Sequence, residues 1–309
     1  MRLSTLFFPW LTLACSAAWA APVYFTDPIT NVIYSYDSVT LQGGLFASIE
    51  LVNPVNGIAC DKFGNVYASA RNFIYRFTPD GVRTTYFTGT TQYFEDLVVD
   101  LSGNIYAYSG KVYKITPAGA ISVIATGFMD GQAPLACDSA GNVFVGDGVA
   151  GNVTRITPGG AKSSFSTGLQ AGGLAVDAAG NVYVADRGNG DLKEYSQTGT
   201  LINSSTFPAN PFSNPTGIAF DVQGQLYGHA PGAEIDRLDA AFHRSLFIKV
   251  PNASDPVGDI AIAPIPEPAA ALLLCSGLAA LALRRGRSRP RWPHNFPVPP
   301  LPASPQSQP

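Results

Sequence analysis

One short pattern recurs five times and constrains the chain more than anything else in it: GIACDKFGNVYA from Gly57, DLVVDLSGNIYA from Asp96, PLACDSAGNVFV from Pro134, GLAVDAAGNVYV from Gly173 and GIAFDVQGQLYG from Gly217. The shared aspartates, Asp61, Asp100, Asp138, Asp177 and Asp221, are spaced by 39, 38, 39 and 44 residues. A period of about 40 residues is that of a β-propeller blade, in which each repeat is a small sheet that cannot bury its faces alone.

Each copy reads as strand, tight turn, strand. Val, Ile, Tyr and Phe flank a D-x-x-G-N core whose Asp can accept turn N–H groups and whose Gly tolerates positive φ. The five aspartates are therefore turn-structural residues, not metal ligands. A third segment follows in most copies, as in IYRFTPDG from Ile74 and VYKITPAG from Val112, and a fourth leads to the next copy. The opening segment VYFTDPITNVIYSYDSVT from Val23 lacks a first strand, and Gly258–Ala263 supplies one at the other end. The expected architecture is all-β: a six-bladed propeller over residues 21–263 with one split blade closing the ring, which removes exposed sheet edges.

These copies resemble NHL repeats and, more distantly, gluconolactonase-like six-bladed propellers and streptogramin lyase. The gluconolactonase resemblance implies metal ligands five residues before each repeat aspartate, which gives Asn56, Glu95, Ala133, Gly172, Thr216 and Gly258. Only Asn56 and Glu95 among them can ligate, too few oxygens for a hard divalent cation, so no metal site and no cofactor is expected, and a divalent cation stays a subsidiary candidate. The lyase resemblance implies a histidine with an acidic partner. His229 is the one histidine well placed, among top-face residues that include Asp27, Arg71, Asp147 and Asp186. The plainer reading makes these a polar rim with His229 a hydrogen-bonded surface residue, and Asp186–Asp191 a hairpin loop without the alternation of a calcium loop. His243 falls on an expected outer strand.

The two ends carry addresses. Residues 1–20 read as a secretory signal: Arg2, an apolar stretch, and Ala18-Trp19-Ala20 before Ala21. Near the other end Pro266, Glu267 and Pro268 precede an apolar run over 269–283, an arginine cluster that includes Arg284, Arg285 and Arg287, and a Pro-rich segment over 292–309 expected to be disordered. Residues 264–291 resemble the PEP-CTERM sorting signal of Gram-negative bacteria. The resemblance implies processing by an exosortase, transient anchoring in the inner membrane, and release to the surface or extracellular matrix. The apolar run is short for a bilayer span, and its arginines favour the cytoplasmic side.

Of 19 Lys and Arg, Arg2 lies in the signal and five lie in the terminal cluster, whereas all 22 acidic residues fall between Ala21 and Pro268. The body therefore carries a charge of about −9, which argues against nucleic acid as a partner. Cys60 and Cys137 share one repeat position in blades separated by another, so they are read as small core residues without a disulfide. The expected function is an exported binding or matrix protein in an exopolysaccharide or biofilm setting, with polysaccharide or protein as partner and Tyr93 and Phe94 as candidate stacking residues. The alternative is a lactonase- or lyase-type enzyme.

Overall fold

Residues such as Val66-Tyr67-Ala68-Ser69-Ala70 are buried without a break, the pattern of a strand covered on both faces. The computed structural model describes residues 21–49, 54–129, 131–205, 217–230, 233–250 and 258–264. The signal, the Pro266–Pro268 motif, the apolar run and the arginine cluster lie outside them. Within the described residues, twenty-four strands numbered β1–β24 in chain order form six four-stranded sheets.

Blade 1 is the split one. It joins β24 (Ile260–Ile262) to β1 (Pro22–Asp27), β2 (Val32–Asp37) and β3 (Gly43–Ser48). The antiparallel register pairs Val23 with Ile262, Tyr24 with Ala261 and Phe25 with Ile260. Thr26 N–H to Asp259 O (3.1 Å) and Ala263 N–H to Pro22 O (3.0 Å) extend the ladder at both ends. Blade 2 runs from β4 (Val55–Cys60) to β7 (Arg83–Thr88), blade 3 from β8 (Asp96–Val99) to β11 (Ile121–Ala125), and blade 4 from β12 (Leu135–Cys137) to β15 (Lys162–Ser166). Blade 5 runs from β16 (Ala171–Val176) to β19 (Leu201–Ser205), and blade 6 from β20 (Ile218–Phe220) to β23 (Arg244–Lys249). The first strand of each blade lines the centre, and the fourth, such as Arg83–Thr88, is largely exposed.

The apolar core is divided into clusters that sit between neighbouring blades. Ile33, Val66, Phe77 and Ala261 join blades 1 and 2, and Phe25, Tyr227, Ile235 and Ile260 join blades 6 and 1. Four more clusters complete the circle. Each blade thus buries both faces against others, and no blade owns a core.

The D-x-x-G turns close the inner hairpins at the end where the first strands finish, here called the bottom. Asp61 Oδ1 accepts N–H bonds from Phe63 and Asn65, both at 2.9 Å, and Oδ2 accepts from Asn65 Nδ2 (2.7 Å) and the Tyr67 hydroxyl (3.2 Å). The arrangement recurs at Asp100 with Asn104 and Tyr106 and at Asp177 with Asn181 and Tyr183. Asp138 keeps Asn142, and Phe144 stands where the others have Tyr. Gly64 takes φ +79° to close the turn, a conformation without steric cost only for glycine. The turn role expected for these aspartates is what the geometry shows, and the repeated Asn and Tyr turn out to complete the same network.

Two outcomes follow. Asp61→Ala leaves one buried side-chain amide and two backbone N–H groups short of an acceptor, so a loss of about 2–3 kcal/mol is expected in urea unfolding. A chain ending after Ala263 should fold and melt as the full chain does, whereas one ending after Val257 lacks β24, leaves the β1 edge and the Phe25 cluster uncovered, and should aggregate or melt far lower. Equal melting of the two truncations would contradict the split-blade closure.

Candidate functional site: the carboxyl pair at the channel mouth

Six inner strands converge on the axis, and at their starting ends, the top, one repeat position faces the mouth of the channel. Its occupants are Gly57, Asp96, Pro134, Gly173, Gly217 and Asp259, one per blade. Crowding explains the glycines. A Cβ on Gly57 would lie 2.6 Å from Asp96 Cα, and one on Gly217 would lie 2.5 Å from Asp259 Oδ1. Two carboxylates therefore stand in a ring otherwise restricted to Gly and Pro. The channel below holds a cavity of about 190 Å³ lined by the inner strands.

Both carboxyls staple one blade to the next. Asp96 Oδ1 accepts from Leu97 N–H (2.6 Å), and Oδ2 accepts from Leu135 N–H (2.6 Å), which starts the inner strand of blade 4. Asp259 Oδ1 accepts from Ile260 N–H (2.8 Å), and Oδ2 accepts from Ile58 N–H (2.9 Å) in blade 2. The two side chains also hydrogen bond to each other across blade 2. Two partly buried carboxylates in contact disfavour double ionisation, so a proton is retained at the pair to higher pH than at an ordinary carboxyl. Burial pushes both above the ordinary carboxylate range, and the charge of Asp96 pushes Asp259 further. Glu95 beside them is half-buried, and burial followed by the Asp96 charge raises it to about 7.

Chemically the mouth can hold, donate or accept a proton near neutrality. Its thiols contribute no nucleophile: burial drives Cys60 strongly upward and Cys137 up to about 12, which keeps both as thiols. Both cysteines are free; Cys60 packs against the apolar cluster between blades 1 and 2, and Cys137 Sγ donates to Val99 O of blade 3 at 3.4 Å. Among the described residues no group of three or more His, Cys, Asp or Glu is arranged to hold a metal ion.

The residues singled out in the sequence are placed unevenly. Asn56 Nδ2 donates to Phe94 O at 3.3 Å, across the boundary between blades 2 and 3 and one residue before Glu95. His229 is not a surface residue. It is 0 % exposed on β21 (Leu226–Ala230), because the second strand of a blade is covered on both faces. His243 sits in the turn before β23, not on the strand, 81 % exposed and 2.9 Å from Asp239. Phe94 is fully buried against Phe87 and Tyr113 and offers no stacking face. Asp27, Asp147 and Asp186 are buried caps of the second hairpins. Asp27 Oδ1 accepts from Ile29 and Thr30 N–H, and Asp186 Oδ1 from Gly188 and Gln170 N–H. The loop after Asp186 is the expected hairpin turn, with Asp191 N–H bonded to Asn189 Oδ1. Asp96 and Asp259 were missed. Their signal was two acids in a column of Gly and Pro, one residue beyond the position that the family resemblance selects.

No protein-family model matches the chain, and no curated protein matches it. Solved structures do, at the level of fold. A virginiamycin B lyase from Staphylococcus aureus superposes with a TM-score of 0.57 and 19 % identity over 70 % of this chain and 77 % of that one. A chain of the nidogen/laminin complex gives 0.68 and 17 % identity over 79 % and 98 %. A protein of unknown function from Bacteroides caccae gives 0.62 and 14 % over 80 % and 100 %. The chain is a six-bladed propeller of the architecture these proteins share.

The carboxyl pair sets a pH dependence. Unfolded carboxyls release their protons near pH 4, whereas Asp259 and Glu95 keep theirs to higher pH in the folded chain. The native state then binds more protons, and stability falls as pH rises through their native titration. A carboxyl held one pH unit above its ordinary value costs about 1.4 kcal/mol at neutral pH, or roughly 2–4 °C of melting temperature. Asp259→Asn keeps a donor toward Asp96 and removes one ionisation, so its melting temperature should fall less than wild type between about pH 5 and about pH 8. Parallel curves would show that the pair retains no such proton.

Proposed function

We propose that the protein is an exported binding protein, sorted through its C-terminal signal by an exosortase and displayed in an exopolysaccharide matrix, with its top-face loops holding a carbohydrate or protein ligand. The observation that carries this reading is the placement of the two ends. Pro22 begins β1 at the bottom of blade 1 and Ala263 follows β24 beside it, joined by the 3.0 Å bond from Ala263 N–H to Pro22 O. The chain therefore enters and leaves the described body at one face, opposite the top-face connections.

The engagement of the channel groups also supports binding over catalysis. All four oxygens of Asp96 and Asp259 accept backbone N–H bonds, and His229 is sealed within its blade. A neighbour in a partner complex, that of nidogen and laminin, shows the architecture in an assembly. The enzymatic reading rests on Glu95, whose raised pKa of about 7 suits a general base at the channel mouth. The virginiamycin B lyase likeness supports it only as a shared fold.

Sorting is tested by intact-mass measurement of the protein recovered from the cell surface. It should lack everything beyond about Pro268. Replacing Pro266 and Glu267 together with alanine should trap a membrane-bound precursor, and normal processing of that variant would contradict the sorting reading.

A further inference from the structure

We draw no further inference here: the strongest candidate, the exposed apolar side chains Phe63, Leu101 and Val222 on the D-x-x-G turns of the bottom face, is an apolar surface, and nothing among the described residues shows what covers it.

Discussion

Closure of the ring by β24 on β1 is the contact on which everything else depends. The buried apolar clusters are shared between neighbouring blades, so a sheet keeps its core only while both neighbours are present. Three residue pairs between the two ends of the body complete the circle. They convert six marginal sheets, none stable alone, into one cooperative unit without an open inner edge. The same closure brings Ala21 and Ala263 together at the bottom face.

Polar groups within this frame divide by level. At the bottom, aspartates are spent on turns, with Asp61 used by N–H, amide and phenol donors together. At the top, Asp96 and Asp259 reach across blade boundaries to cap the next inner strand, and their own proximity retains a proton at the pair to higher pH than at an ordinary carboxyl. That pair is costly above mildly acidic pH. Its members cap inner strands of neighbouring blades, in a ring whose other members are Gly and Pro. Glu95 is drawn into the same field. The channel mouth is thus mainly a structural junction.

Much of the fold could be read from residues. The period of the aspartates defined the blade, and the absence of a strand before Val23 together with its presence at Ile260–Ile262 defined the split. Turn chemistry was legible because Asp and Gly act within five residues of each other. The site was less legible, because it is made by convergence between copies. Asp96 and Asp259 are 163 residues apart in sequence and meet only once the ring has closed. His229 misled for a related reason: its position on a second strand was visible, but burial on both faces follows from the neighbouring blades.

Native-state hydrogen exchange at the closure tests the account most directly. The amides of Thr26 and Ala263, which bond Asp259 O and Pro22 O, should exchange only through global unfolding. Their opening free energy should equal that of an inner-hairpin amide of blade 4, such as Asn142, whose N–H is bonded to Asp138. If Thr26 and Ala263 instead exchange through local fraying, several kcal/mol below the global value while Asn142 remains protected, the ring is not held by its ends and the central claim fails.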